Sequence, residues 1–452
     1  MSSLPGALEA RGLELVGHTD LSGKGDGMQI MRNGDFLYVG HMGDFGVGTS
    51  VVDVSDPAHP RVVRQISVPK GTHSHKVQLA NGLLVVNYEQ YPYRIGVPER
   101  TGLGVYDVTR EPGDPQLLAF MPIRGLGVHR MWFAGDGSRG DRYLYASARL
   151  DGYRNRVLIT VDMGEAARPA ISSTWWWPGQ RHGDPESLPE DNDIGAHHVI
   201  RQGERAYGGY FDKGVVVYAV RDRGSLELIS SLAWPEGGHS HTHTALPLGE
   251  RKLLVVTDEA IEPNCEGAPK NVHVVDVSDE RHPREISRFP VPDGDYCARG
   301  LRFGPHNLHE NRPGTFQSDR IVYVTYFNAG LRVYDTSDPL QVREIACYVP
   351  EAPPGQPAIQ FNRGDARRSR ARTLPRGRAP LRHTAPGNAG DPVARAGRGE
   401  GLLARLGAHL PAGSSRALAE GALPRVRLED DRVRVLRLAA LPPWEGPGSH
   451  RG

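Results

Sequence analysis

One strand-like phrase returns six times along the 452-residue chain. It reads "TSVVDVSDPAHP", "LGVYDVTREPGDP", "VLITVDMGEAARP", "VVVYAVRDRG", "VHVVDVSDERHP" and "LRVYDTSDP". Each copy is a run of β-forming residues with an acid near its end, then a polar turn that is usually closed by proline. The acid falls at Asp53, Asp107, Asp162, Asp276 and Asp335, with Ala219 in the fourth copy, so successive intervals are 54, 55, 57, 57 and 59 residues. So regular a period makes each copy one supersecondary unit that buries its apolar face against its neighbours.

The second unit contains four short β runs, "HKVQLANG", "LLVVNYE", "GLGVYDV" and "QLLAFMPI", separated by turn residues. None shows a sustained helical period. Four strands per unit and at least six units specify an all-β fold, a seven-bladed β-propeller of four-stranded blades. Paired sandwiches do not repeat one unit six times. The six units occupy residues 1–362, and a seventh acid is expected near residue 392. Instead, Arg363 to Gly452 holds 18 Arg, no Lys and 8 acids, and lacks Ile, Phe, Tyr, Met and Cys. Two readings stay open for residues 363–452: a disordered Arg-rich tail, or text from a shifted reading frame in GC-rich DNA. On either, the last blade is expected to be missing or disrupted.

The net charge of +1 hides this asymmetry, because the remaining residues carry 36 Lys+Arg against 45 Asp+Glu. The basic tail is not interleaved with aromatics, so no nucleic-acid partner is expected. No apolar run is long enough to span a membrane. The three cysteines, Cys265, Cys297 and Cys347, are odd in number and widely spaced, which predicts a reducing compartment without disulfides and a cytoplasmic location.

The histidines follow the same period. His75, His129, His197, His243 and His306 open "HKV", "HRM", "HHV", "HTA" and "HNL", the first strand of successive units. In a propeller that strand is innermost, so the five imidazoles should ring the channel. His73, His239 and His241 keep the same face by strand alternation. His197 and His198 are adjacent, so one of them should face the axis. His18, His41, His59, His182, His273 and His282 fall outside the register and are expected at the surface or in turns. The first unit lacks the histidine and places Met28 or Asp26 there.

Crowded imidazoles disfavour the charged form, and neutral imidazole is a metal ligand. The ring is therefore expected to bind a divalent transition metal, Fe, Cu, Mn, Ni or Zn, with His75, His129, His197, His243 and His306 as ligands. Glu89, Asp258, Glu259 and Glu310, with His73, His239, His241 and His309, are the accessory groups that would orient them. Two insertions, "YEQYPYRIGVPERTG" and "DEAIEPNCEGAPKN", could overhang the mouth, with Tyr91, Tyr93 and Arg94 against a small-molecule substrate. Of the three adjacent tryptophans in "WWWPG", at least one should be exposed.

The unit "GxxVxDVSDPxxPxxV" resembles the LVIVD-repeat family of β-propellers, over about Leu37 to Asn362, and more distantly the selenium-binding proteins that include methanethiol oxidases. The first resemblance implies the propeller fold and no single chemistry. By analogy with metal-bearing propellers, the functional expectation is a metal-dependent oxidoreductase or oxygenase. The alternative is a non-catalytic propeller that binds a protein partner, with structural or pH-responsive channel histidines.

Overall fold

A computed structural model describes residues 6–352 except 25–26, 44–45, 91–96, 136–140, 190–192 and 235–239, together with 433–435. The chain is an all-β propeller. Blade one comprises Gly27–Asn33, Phe36–His41, Val47–Asp53 and Arg61–Ser67. Blade two comprises Val77–Ala80, Leu83–Gln90, Gly102–Asp107 and Gln116–Pro122, and Thr72–His73 pairs with the end of its second strand. Blade three is Gly125–Trp132, Tyr143–Leu150, Val157–Asp162 and Ala170–Trp175. Blade four is His198–Gln202, Arg205–Gly209, Val215–Val220 and Leu226–Leu232. Blade five is Thr242–Pro247, Leu253–Asp258, Val272–Asp276 and Arg284–Arg288.

Blade six departs from the pattern. Its regular strands are Ile321–Thr325, Leu331–Asp335 and Arg343–Pro350, and the N-terminal strand Ala7–Arg11 pairs outside the last of them. The histidine segment is not a strand here. It is tied on by a single bridge, Leu308 to Val324, and by His306 N–H donating to the Thr325 carbonyl at 2.9 Å. The expected seventh unit lies outside the described residues. So does the tail, apart from Val433–Val435, which forms a short strand against Gly17–Thr19 where no β run was expected.

The repeated acid has a structural task. Asp53, Asp107, Asp276 and Asp335 each accept the backbone N–H two residues on, at 2.8–2.9 Å, closing the turn between the third and fourth strands. Asp162 does the same with Gly164 at 2.9 Å. In three blades the other carboxylate oxygen pairs with an arginine opening the fourth strand: Arg61, Arg284 or Arg343. The third and fourth strands also slip register at one equivalent place in all six blades, for example between Val105 and Tyr106 and between Val333 and Tyr334. A bulge there sharpens the twist each blade needs to pack on the next. The apolar core lies between blades: one cluster runs through blades three to six and another joins two and three.

Three sequence expectations fail. Cys265 and Cys297 form a disulfide, with Cα atoms 5.6 Å apart, which ties the blade-five insertion to the loop before blade six. Their separation of 32 residues had hidden the pairing, and a reducing compartment loses its support. His41 and His273 are buried, not superficial. His41 Nε2 meets Ser50 Oγ at 2.7 Å, and His273 stacks on Trp234 with Nδ1 2.8 Å from Glu285. Both lie outside the channel. Trp175, Trp176 and Trp177 are all half-buried, against Tyr218, Tyr153 and Tyr210 respectively.

Candidate metal centre

The histidines of five separate units converge. Ring centroids step from His73 to His75 (4.4 Å), His129 (4.9 Å), His197 (4.9 Å), His243 (3.7 Å) and His306 (4.7 Å). His241 joins at 5.9 Å from His197. His129 alone keeps appreciable exposure, 14 % of its side chain, so the mouth opens beside it. His239 and the loop residues Tyr91, Tyr93 and Arg94 lie outside the described residues, as does Asp26, while Met28 is buried.

Close backbone approach sets this spacing. Gly127 has φ +96°, and a Cβ there would lie 2.3 Å from the Tyr88 carbonyl oxygen. Its glycine lets the inner strand of blade three pair with Glu89 and sets His129, two residues on, against that carboxylate. At Gly209 a Cβ would fall 2.5 Å from the His243 carbonyl oxygen, so blade five could not close on blade four with any larger residue. Side chains then latch blade to blade: Asn87 Nδ2 donates to Val128 O and Ser147 Oγ to His197 O, both at 2.7 Å.

Two carboxylates divide the ring. Glu89 Oε2 lies 2.9 Å from His129 Nδ1, 3.3 Å from His73 Nε2 and 3.9 Å from His75 Nε2. Burial would raise Glu89, but His129 and His73 overcome it and hold the carboxyl well below its usual range. Glu259 lies 3.4 Å from His241 Nε2 and 3.5 Å from His306 Nε2, and is paired with Arg302 at 2.7 Å. Burial, reinforced by neighbouring cationic forms, holds His75, His197 and His243 well below the ordinary histidine range. His129 is lowered to about 4, by burial first and Arg156 second, against the pull of Glu89. His75, His129, His197 and His243 are therefore neutral near pH 7, the form that ligates metal.

The remaining accessory residues sort differently from expectation. Glu310 does not stand behind a ring histidine. It bridges the buried guanidiniums of Arg130 and Arg312, with His198 Nε2 at 3.5 Å. Asp258 accepts the His241 backbone N–H and pairs with Lys270 at 3.4 Å, while burial raises its carboxyl. His309 sits apart, its Nε2 2.8 Å from the Phe316 carbonyl and its ring near Tyr323. Both His197 and His198 are buried, and His197 is the ring member.

Residues that fit an ion can be picked out by their unmet atoms. His243 Nε2 and His197 Nδ1 are buried with no hydrogen-bond partner. The group His197, His243 and Glu259 brings one ligand atom each within 4.8 Å of one another, as do His73, His75 and Glu89. His129 donates Nδ1–H to Glu89, which leaves its Nε2 lone pair facing His197 Nε2 at 3.2 Å. By contrast, His75 Nδ1 accepts from Asn87 Nδ2 at 3.3 Å, which puts the proton of neutral His75 on Nε2.

Sequence reasoning missed a second buried set that the same alignment could have found: the residue after each ring histidine. Lys76, Arg130, His198, Thr244 and Asn307 are all buried. Burial and Arg130 hold the Lys76 ammonium well below the usual lysine range. Arg156 and Arg302 carried no period to mark them.

The LVIVD repeat family matches residues 24–67, the first unit of this ring of blades. This stretch is an LVIVD repeat. No curated protein matches this chain. Similar solved structures include a periplasmic gluconolactonase of Pseudomonas aeruginosa, at 17 % identity and TM-score 0.49, covering 74 % of this chain and 87 % of that one. A putative 6-phosphogluconolactonase of Bacteroides uniformis aligns at 13 % identity and TM-score 0.49, covering 70 % and 83 %. A hypothetical selenium-binding protein of Sulfolobus tokodaii aligns at 14 % and 0.46, covering 72 % and 77 %. Among the described residues no helix is long and apolar enough to cross a membrane.

Proposed function

We propose that the protein binds one divalent transition metal on its histidine ring, held by His197, His243 and Glu259. The observation that carries this is the pair of buried, unpartnered nitrogens, His243 Nε2 and His197 Nδ1, beside a carboxylate. Leaving such atoms unmet costs about 1–3 kcal/mol each, and an ion would meet both. His75 and His306 complete the ring without being ligands on this reading, since each accepts a hydrogen bond at Nδ1 from an asparagine. Two imidazoles and a carboxylate suit Fe, Cu, Mn, Ni or Zn. A redox-active ion held there would supply electron-transfer or oxygen chemistry, so we infer an oxidoreductase or oxygenase acting on a small molecule that enters beside His129. The same reading keeps the seven-bladed count, with the last blade missing or disrupted. The Cys265–Cys297 bond favours an oxidising compartment over the cytoplasm.

The test is elemental analysis of full-length protein made without an affinity tag, beside a His197→Ala/His243→Ala variant. About one metal per chain in the parent and almost none in the variant is expected. Near-zero metal in both would end the proposal. It would favour an interaction propeller with structural histidines, a reading to which the Asn87–His75 contact already lends weight.

A further inference from the structure

The residues following the ring histidines form a polar cluster that has donors to spare and too few acceptors. They lie close to the imidazoles: Thr244 Oγ1 is 2.7 Å from His243 Nδ1 and Asn307 Nδ2 is 3.0 Å from His306 Nδ1. The segment after His306 crosses to them and contributes Glu310 and Arg312. Arg130 Nη2 donates to Glu310 Oε1 at 3.0 Å and Arg312 Nη1 to Glu310 Oε2 at 3.1 Å. Arg130 also donates to Asn307 Oδ1, and Arg312 to Gln78 Oε1 and to the Phe133 carbonyl. All of these side chains are buried.

The acceptors are then used up. No hydrogen bond or ion pair joins the Lys76 ammonium to any described residue, and only 2 % of Lys76 is exposed. Gln78 Nε2 and Arg130 Nε are buried without partners, while His198 Nε2 lies 3.5 Å from Glu310. Three cationic side chains, Lys76, Arg130 and Arg312, share one carboxylate, Glu310. The other two carboxylates that act on Lys76 are engaged elsewhere, Glu259 by Arg302 and Glu89 by His129. Water could satisfy the stray N–H groups but not the surplus charge.

We propose that this cluster is a binding site for a small carboxylate-type oxyanion, held by Lys76, Gln78 and Arg130. An anion there receives charge-assisted hydrogen bonds from Lys76 and Arg130 and a neutral one from Gln78. Lys76 and Gln78, two residues apart, present their donors from one face of the same extended segment. The inference does not rest on a metal, and it gives the channel a preference for anionic over neutral small molecules.

The experiment is calorimetric titration of formate and acetate into the full chain, stripped with a chelator, in chloride-free buffer. Saturable binding by the parent is expected, weakened about tenfold or more in Lys76→Met and largely kept in Lys76→Arg. Without anion, Lys76→Met should resist urea at least as well as the parent, since it removes a buried unpaired charge. If Lys76→Met does not fold, Gln78→Met serves, with the same weakening expected. The proposal is overturned if the parent binds neither anion saturably, or if the folded variant binds them as the parent does. An absence of metal from the parent would leave this result standing, so the two proposals fail separately.

Discussion

The two sides of the histidine ring hold similar residues in different states. On the Glu89 side, His73, His75 and His129 all reach one carboxylate, and His73 Nδ1 and His75 Nδ1 have partners in Met42 O and Asn87; His75 Nε2 has no hydrogen bond, but carries the proton and faces Glu89 at 3.9 Å. On the Glu259 side, Arg302 already neutralises the carboxylate, and His197 and His243 keep unmet nitrogens. The contrast teaches that the number of histidines does not mark a metal site. What marks it is whether the surrounding hydrogen bonds leave a lone pair unclaimed.

Acid should expose both sides, with the largest effect. His75, His129, His197, His198 and His243 are all held below the ordinary histidine value of about 6.5, chiefly by burial. Between that value and the folded value, about 4 for His129, the unfolded chain takes up protons that the folded chain refuses. Stability is therefore full above about pH 6.5 and falls as the pH drops, by up to about 1.4 kcal/mol per pH unit for each such group. Urea unfolding at pH 7.5, 6 and 5 checks the sign; stability that is flat or rising toward pH 5 would contradict it.

The two carboxylates should then separate. Glu259→Ala strands a buried Arg302 and removes a proposed ligand, so it should lose about 3–5 kcal/mol of stability together with the metal. Glu89→Ala should cost a similar amount of stability yet retain most of the metal. Metal loss from the Glu89 variant alone would reverse the assignment of sides. Among the histidines, His243→Gln should weaken metal affinity by about 100-fold or more, and His75→Gln by less than about tenfold, as judged by chelator competition. Equal losses would merge the two sides into one site.

The smallest effect lies away from the ring. Asp107→Ala removes the acceptor that closes a blade turn and should cost about 1 kcal/mol, with metal binding unchanged. The fourth blade already carries Ala219 at this position and keeps the same strand order, so the turn tolerates the loss.

How much of this was legible follows from what is local. The strand runs, the turn acids and the blade period are consequences of residues near one another in sequence, so the propeller could be read from six copies. The convergence of His75, His129, His197, His243 and His306 followed from the same period, because equivalent positions on radial units meet at the axis. Glu310 was misassigned and Cys265–Cys297 was missed for the opposite reason. Glu310 is held by arginines 180 residues away and two away, and the disulfide joins loops of different blades. Burial of His41 and His273 likewise depended on neighbours outside the period.

By itself, the sequence determined the repeat, the strand order within each blade and the register that collects histidines on one axis, since these need only short-range pattern and pseudo-symmetry. Only the tertiary structure decided which imidazoles keep an unclaimed nitrogen, which carboxylate lies beside them, and that Lys76 makes no ion pair among the described residues. Those are properties of the space between blades, where partners far apart in the chain compete for the same hydrogen bonds.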